Sequence, residues 1–325
     1  MTLEEAMASD RSRNLDLLRL ALASGVIVSH AWPLSLGPGT AEPLEHLTGH
    51  SLGGWAIGVF FFISGLLITA SAERKPPSCF WVARVRRIVP GLGAALFVTL
   101  ALAFASGSTA GLHETTSWFF RALTLASIEH RLTDAFATNP YPEVVNGPLW
   151  SLFYEVLAYG ICAAFVWMGG ARNAKTVWAL LTLAAATCLV QEELPGRAAT
   201  FAPLFASFAL GMAVYVWRNR IELRPIMIVF LLGVASIVPE ALALGVAGFA
   251  LVMLVLSGPV VALSNDVSYG MYIYGWPIAQ TVVVVLPGIS PVPLAVLSFL
   301  ATYPIAVLSW QFVERPGLAN RRATA

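Results

Sequence analysis

The sequence is poor in charge. Asp, Glu, Lys and Arg together make up 11% of its 325 residues, whereas 58% are hydrophobic. A soluble globular chain carries about 25% charged residues, so we expect most of this chain to lie in lipid. The 19 basic and 18 acidic residues nearly balance, which gives no indication of a nucleic-acid or polyanionic partner.

Cysteine is scarce, and the motifs of metal and nucleotide sites are missing. The three cysteines, Cys79, Cys162 and Cys188, form no CxxC or Cys/His pattern, and we interpret them as buried thiols. The sequence has no zinc-ligand constellation, no Walker loop and no GxGxxG motif. We therefore expect no bound metal and no resident cofactor.

Long apolar runs dominate what is present. A spanning helix needs about 20 mostly apolar residues, and ten segments qualify. The sequence thus predicts an all-α, polytopic membrane protein with about ten transmembrane helices in a single membrane domain, residues 1–325. The segments are 15–34, 53–71, 88–106, 147–168, 175–190, 199–217, 225–239, 241–257, 267–286 and 292–312.

The distribution of basic residues predicts the orientation. With both termini in the cytoplasm, 16 of the 19 basic residues fall on the inner side, as the positive-inside rule expects. Only Arg121, Arg131 and Arg197 fall outside. The inner set comprises Arg11, Arg13, Arg19, Arg74, Lys75, Arg84, Arg86, Arg87, Arg172, Lys175, Arg218, Arg220, Arg224, Arg315, Arg321 and Arg322.

The long outer segment, residues 107–146, is a candidate lid or binding loop because loops of this length are commonly functional. Within it, the run TSWFFRALTLASI, residues 116–128, is interpreted as interfacial or re-entrant. Trp118, Tyr141 and Asn146 are candidates to stack on or hydrogen-bond an acceptor.

The first apolar run carries an arginine and a histidine, Arg19 and His30, with ten uncharged residues between them. At helical spacing the two share a face and lie about 16 Å apart along the axis. Asp16, three residues before Arg19, is placed to pair with it. One interpretation is an interfacial Arg and a helix-end His beside Trp32. The other is functional, because polar groups inside a span are costly and mark sites.

A second basic cluster, ARVRRIVP, contains Arg84, Arg86 and Arg87 and leads into the third predicted span. It is either ordinary cytoplasmic charge or a phosphate clamp, since guanidinium groups bind phosphate bidentately.

Glu155 lies nine residues into the fourth predicted span, where an acid needs a partner or a cavity. It is either paired with an arginine or acts as a general acid or base, or as the residue that orients His30.

Ser64, in GVFFFISGLLITAS, is interpreted as a small packing residue. In SNDVSYGMYIYGWPIAQ, the tyrosines including Tyr269 fit an aromatic belt, whereas Gln280 needs a hydrogen-bond partner.

Six ordered motifs make the chain resemble the acyltransferase 3 family of integral membrane acyltransferases from end to end. They are RNLDLLRLALASGVIVSH (13–30), GVFFFISGLLI (58–68), ARVRRIVP (83–90), PLWSLFYEVLAYG (148–160), SYGMYIYGWPIAQ (268–280) and FVERP (312–316). The arginine, ten residues, histidine pattern of the family is reproduced by Arg19 and His30. One departure is Gly275, at a position where some members carry a histidine.

The resemblance implies a ten-helix fold that transfers an acyl group, usually acetyl from acetyl-CoA, to a hydroxyl of a carbohydrate or glycolipid. It implies that His30 is the essential catalytic residue and that the arginines, Arg19 and the Arg84–Arg86–Arg87 cluster, serve the coenzyme A side. Glu155 is a further catalytic candidate. Candidate contacts for substrate or CoA also include Asp16, Trp150, Ser151 and Tyr269.

These implications predict an enzyme of the bacterial inner membrane with acyl-CoA, a glycan acceptor and membrane lipid as partners. His30 acts either as a general base, since an imidazole titrates near pH 6.5, or as a transient acyl carrier. The rival hypothesis is a transporter or flippase of a polar or lipid-linked solute, because intramembrane Arg, His and Glu suit that role as well.

Overall fold

Helices follow the apolar runs of the sequence. The computed structural model describes residues 1–126 and 130–319, and each of the ten predicted segments coincides with a helix there. This described part has no strand, only isolated bridges between Thr2 and Glu222 and between Arg131 and Val144. The α-helices are α1 Leu3–Ala8, α2 Asn14–Leu36, α3 Pro43–Thr48, α4 Leu52–Arg74, α5 Pro77–Ala105, α6 Leu112–Leu123, α7 Trp150–Trp167, α8 Ala174–Leu189, α9 Arg197–Val216, α10 Pro225–Ala235, α11 Glu240–Ser257, α12 Ser268–Val285, α13 Pro291–Ser309 and α14 Arg315–Ala319.

Six helical stretches among the described residues are long and apolar enough to cross a membrane. Three of the remaining predicted spans coincide with shorter apolar helices, and the fourth with α12. A membrane protein with six candidate spans is therefore supported, while ten spans and cytoplasmic termini stay predictions. Arg321 and Arg322 lie outside the described residues. The six stretches are Asp10–Leu36, Leu52–Arg74, Pro77–Ala105, Gly147–Trp167, Arg197–Val216 and Pro291–Leu318.

Helix α5 begins eleven residues before the predicted start at residue 88. Pro77 occupies its first position, where a missing N–H costs nothing, and no glycine or proline interrupts the chain before Pro90. The interpretation of Arg84, Arg86 and Arg87 as part of a loop is therefore wrong, because all three lie inside a 29-residue helix.

Two compact units share the chain. Unit 1 comprises Met1–Leu22, Gly54–Phe80 and Tyr154–Leu263, and unit 2 comprises Ala23–Gly53, Trp81–Phe153 and Ser264–Ala325 within the described ranges.

Unit 1 is organised by glycine contacts between α4 and α9. A Cβ placed on Gly65 would lie 2.0 Å from the Phe208 carbonyl oxygen, and one on Gly211 would lie 2.1 Å from that of Phe62. The two backbones therefore touch, which is how helices associate where lipid removes the hydrophobic driving force. The Ser207 hydroxyl donates to the Gly58 carbonyl at 2.6 Å and adds a polar bond to the same interface.

Unit 2 is centred on α12, whose residues from Ser268 to Gln280 are almost all buried. Gly270 allows α13 to approach, since its Cβ position lies 2.8 Å from the Ala306 Cβ. Gly275 allows α2 to approach in the same way, with Ile27 Cγ1 at 2.7 Å. A side chain at position 275, such as the histidine that the family resemblance suggests there, would therefore collide with Ile27.

The outer segment is ordered where it is described. It holds the amphipathic helix α6, in agreement with the interfacial interpretation of residues 116–128, of which 127 and 128 lie outside the described residues. Its second part folds back on itself, because the Leu132 N–H donates to the Glu143 carbonyl and the Val145 N–H to the His130 carbonyl.

Candidate active site

The His30 side chain lies in unit 2 against an aromatic neighbour. Its ring meets Trp276 of α12 edge-on, with centroids 4.9 Å apart and planes inclined by 78°. The Trp276 indole N–H donates to the Val144 carbonyl at 2.8 Å, and Tyr141 packs against the indole at 5.5 Å. Among the described residues of this unit, no group hydrogen-bonds either ring nitrogen of His30. The half-buried imidazole is thus held by packing, and its nitrogens remain open to a ligand.

A buried amide network fastens the outer segment beneath this pair. The Gln280 amide donates to the carbonyls of Tyr141 at 2.7 Å and Val144 at 3.1 Å. The Asn139 amide donates in turn to Gln280 Oε1 at 2.7 Å. The expectation that Gln280 needs a partner is confirmed, and α12 holds both Trp276 and the loop that Trp276 contacts.

The loop itself carries backbone strain. Asp134, Phe136 and Glu143 all have φ between +53° and +66°, a left-handed conformation that non-glycine residues adopt only where surrounding structure enforces it. His130 is buried beside Trp118, with ring centroids 6.3 Å apart. Burial, and secondarily the positive charge of Arg121, lowers the His130 pKa to about 4. This imidazole is therefore neutral at physiological pH.

The second cluster of unit 2 surrounds Arg87. Its guanidinium donates to Asp266 at 2.7 Å, lies 3.8 Å from Glu314, and sits over the rings of Tyr269 and Trp310 at 5.8 and 5.7 Å. Glu314 is 1% exposed. Arg87 is therefore committed to two carboxylates of its own chain.

Arg86 differs from its neighbour. Among the described residues it has no hydrogen bond or ion pair. Within the predicted phosphate clamp, the Arg86 guanidinium is therefore available to bind a ligand.

Glu155 anchors a polar cluster in unit 1. The Ser64 hydroxyl donates to Glu155 Oε1 at 3.0 Å, and the Tyr159 hydroxyl donates to the same oxygen. One helical turn further, Thr69 and Cys162 are 3.4 Å apart. Within unit 1, the partners of Glu155 are therefore hydroxyl groups rather than an arginine. The carboxylate is held in place by hydrogen bonds from these O–H groups.

The predicted pair of Asp16 and Arg19 is present in unit 1. The closest oxygen and nitrogen lie 3.6 Å apart, and the Arg19 side chain is 28% exposed. Arg19 and His30 lie on the same unbroken helix, α2. Glu155 belongs to unit 1 and His30 to unit 2, so a role for Glu155 in orienting His30 stays a prediction.

Two further candidates, Trp150 and Ser151, lie at the start of α7. Trp150 is the first residue of α7. The Ser151 hydroxyl is buried and lies 2.7 Å from the Tyr272 hydroxyl, which donates to the Pro148 carbonyl at 2.8 Å. These bonds satisfy the polar atoms of the helix start.

Comparison with known proteins decides the family. A family model described as an acyltransferase domain, that of acyltransferase 3, matches residues 12–311. The chain belongs to the acyltransferase 3 family. It is accordingly an enzyme that transfers acyl groups other than amino-acyl groups, and an integral membrane protein.

Two relatives match this acyltransferase over nearly their whole length. An O-acetyl transferase of Shigella phage Sf6 is 29% identical over 331 residues, which cover 94% of this chain and 96% of the phage protein. Nodulation protein 10 of Rhizobium leguminosarum bv. viciae is 25% identical over 358 residues, covering 97% and 95%. No solved structure matches.

Several partners of the candidate site residues were not predicted from the sequence. Ser64 was interpreted as a packing residue, yet its hydroxyl binds Glu155. Tyr159 stands four residues after Glu155, a spacing that places side chains together on a helix and gave a usable signal. Asp266 and Glu314 carry no local signal, because their partner Arg87 is distant in sequence.

Two expectations for the outer segment are wrong. Trp118 is 7% exposed, and Asn146 is fully buried with its amide bonded to Thr99 and to the Ile273 carbonyl. Neither presents surface to an acceptor, because both side chains are packed inside the folded segment. Tyr141 remains partly accessible.

Proposed function

We propose that the protein transfers acetyl from acetyl-CoA to a hydroxyl of a cell-surface or lipid-linked carbohydrate. The printed name of the Shigella phage relative, O-acetyl transferase, supports O-acetylation. We place the enzyme in the bacterial cytoplasmic membrane, with ten spans and both termini inside, because the basic residues segregate to one side.

The observation that carries the proposal is the state of His30. An imidazole inside a membrane span is costly to bury and is therefore a candidate functional group. This one is held by the Trp276 ring without a hydrogen bond from its own unit. A neutral imidazole with an open nitrogen is a suitable acceptor for a hydroxyl proton at neutral pH.

Two routes use the same nitrogen. In the direct route, His30 accepts the hydroxyl proton while the acceptor oxygen attacks the thioester carbonyl. The C–S bond breaks, and the CoA thiolate takes up the proton. In the covalent route, the imidazole nitrogen attacks the carbonyl first, the C–S bond breaks and CoA leaves as the thiolate. The acceptor hydroxyl then takes the acetyl group from His30, the N–C bond breaks, and the hydroxyl proton passes by way of the imidazole to the thiolate.

The remaining candidates bind or position in this scheme. Arg86, with Arg84, is the proposed contact for the CoA phosphates, and Arg87 completes the cluster while its carboxylates hold it in place. Arg19 is kept oriented by Asp16. Trp150, Ser151 and Tyr269 shape the substrate path, and Glu155 serves as a proton acceptor among its hydroxyl partners.

The test is acetyl transfer by membranes that contain the protein, with radiolabelled acetyl-CoA and mass spectrometry of the cell-envelope glycans. We expect His30→Ala and His30→Gln to abolish acetyl-CoA consumption at normal expression. The matched control is His113→Ala, which removes an exposed imidazole from α6. Full activity in both His30 variants would refute the assignment, and solute transport without acetyl-CoA consumption would support the transporter hypothesis instead.

The same preparation separates the two routes. Without acceptor, the covalent route releases one equivalent of CoA per active enzyme in a rapid burst. The direct route releases no CoA until the acceptor is added.

A further inference from the structure

A cavity of about 320 Å³ lies within unit 1, and none of its lining residues takes part in the proposed chemistry. Small-molecule sites occupy roughly 300 to 1,000 Å³, so its size suits a compact ligand. The end of α4, the start of α5, the end of α7 and the turn after α7 enclose it. Its lining includes Glu73, Pro77, Trp167, Gly169 and Arg172.

Contacts within unit 1 hold the residues that line this cavity. The Trp167 indole N–H donates to the Ala72 carbonyl at 3.2 Å, and Phe80 meets the same ring edge-on at 5.6 Å. Gly169 has φ +82°, which only glycine adopts readily, and a Cβ on Gly170 would lie 2.6 Å from the Phe165 ring. The turn that completes the cavity therefore depends on two adjacent glycines.

The cavity presents one carboxylate oxygen and one guanidinium group that have no partner of their own among the described residues. Tyr215 donates to Glu73 Oε2 at 2.7 Å, and Arg218 lies 3.9 Å from that oxygen. Glu73 Oε1 has no partner among residues 1–126 and 130–319. Exposed Arg172 likewise has no ion pair or side-chain hydrogen bond in these ranges. A ligand that complements both groups is a zwitterion.

The position of the cavity indicates where such a zwitterion comes from. Glu73 and Trp167 stand at the ends of two stretches long enough to span the bilayer, Leu52–Arg74 and Gly147–Trp167. Helix ends lie at the depth of the lipid headgroups, and Trp is enriched there. Headgroups are thus the ligands present at the mouth of the cavity at high local concentration.

We propose that this cavity binds the headgroup of an ethanolamine phospholipid. The primary ammonium donates to Glu73 Oε1 and lies against the Trp167 ring, as cations do on indoles. The phosphodiester accepts hydrogen bonds from the Arg172 guanidinium. Ethanolamine is favoured over choline because a quaternary ammonium has no N–H to donate to the carboxylate. The site does not depend on acyl transfer.

The test is native mass spectrometry of the purified full-length protein with phosphatidylethanolamine, phosphatidylglycerol or phosphatidylcholine. We expect the wild type to retain the ethanolamine lipid in preference to both others. Loss of a charge-assisted bond corresponds to about a tenfold change. Arg172→Ala should therefore weaken retention of all three lipids about tenfold, because each carries the phosphodiester, whereas Glu73→Gln should remove only the preference for ethanolamine.

Controls separate the site from the lipid around the protein. Arg220→Ala removes another exposed arginine of unit 1 and Trp178→Ala another exposed indole, and neither should change retention. Soluble glycerophosphoethanolamine should compete with the bound lipid in the wild type, which requires no variant to fold. Equal retention of all three lipids, or unchanged retention in Arg172→Ala, would overturn the proposal. Displacement by acetyl-CoA but not by glycerophosphoethanolamine would overturn it in favour of a nucleotide site.

Discussion

The imidazole of His30 and the indole of Trp276 meet edge to face at 4.9 Å, and the indole is tied to the Val144 carbonyl. One side chain thus connects the proposed catalytic histidine to the outer segment. Replacing that side chain should affect catalysis without touching the imidazole.

We expect Trp276→Phe to lower kcat/KM about fivefold, because it keeps the ring contact and loses one hydrogen bond of about 1 kcal/mol. Trp276→Leu also loses an aromatic pair worth about 1 kcal/mol, and it should lower kcat/KM several-fold further. Initial rates normalised to folded protein measure both effects. Equal rates in both variants and the wild type would show that the contact has no catalytic role.

Substitutions in the cluster around Glu155 show whether this carboxylate accepts a proton or only packs. Glu155→Gln keeps an oxygen that accepts from Ser64 and Tyr159 but removes the charge. If Glu155 accepts a proton, the Gln variant should be as inactive as Glu155→Ala, with a loss of about a hundredfold or more, typical of general base removal. Ser64→Ala is the comparison and should lose only several-fold. Near-normal activity in Glu155→Gln would assign the carboxylate a structural role.

Arg87 should matter first for folding. Removing one partner of a buried ion pair costs roughly 3 to 5 kcal/mol, and Arg87→Ala leaves Glu314 buried and unpaired. We expect a large fall in melting temperature in detergent, partly reversed by the second change Glu314→Gln. Arg86→Ala serves as the control, since it should leave melting unchanged and raise KM for acetyl-CoA. A normal melting temperature in Arg87→Ala would contradict the pairing.

The contact between α4 and α9 should tolerate no side chain. Gly211→Ala places a methyl group 2.1 Å from the Phe62 carbonyl oxygen. Overpacking costs typically about 1 to 3 kcal/mol, and more where backbone has to move. Thermal denaturation should show a marked loss of stability. Gly233→Ala, on α10 with nothing within 4 Å of the added methyl group, should melt like the wild type.

The outer segment should weaken in acid. The His130 pKa is lowered from 6.5 to about 4, so between these values the unfolded segment binds a proton that the folded one does not. Its stability is therefore complete above pH 6.5 and declines as the pH falls toward 4. Hydrogen exchange of residues 131–146 at pH 7.5 and 5.5 measures this, after correction for intrinsic rates. His130→Phe should abolish the difference, whereas His113→Ala should retain it.

The sequence predicted helix positions well because apolar runs of span length leave few alternatives in lipid. It placed the start of α5 eleven residues late, since the charges of Arg84, Arg86 and Arg87 suggested a loop while Pro77 in fact begins the helix. Its count of ten spans stays a prediction, because α10 has 11 residues, fewer than the roughly 20 that a spanning helix needs.

The site was predictable only where its partners are close in sequence. The pairing of Asp16 with Arg19 follows from helical spacing. The carboxylates around Arg87 do not, because Asp266 precedes α12 and Glu314 follows α13, both far from Arg87 in the sequence. Trp276 lies in the run whose tyrosines fit an aromatic belt, and nothing in its local sequence indicates that it would contact His30.

The close approach of Gly275 to Ile27 has a consequence for how this enzyme can change over time. Because a Cβ at 275 would lie 2.7 Å from Ile27 Cγ1, a side chain at position 275 requires a smaller residue at position 27. Shortening residue 27 first leaves a small void, whereas enlarging residue 275 first disrupts the helix pair. The two positions are thus coupled, and we expect a larger residue at 275 to be tolerated better together with Ile27→Ala than alone.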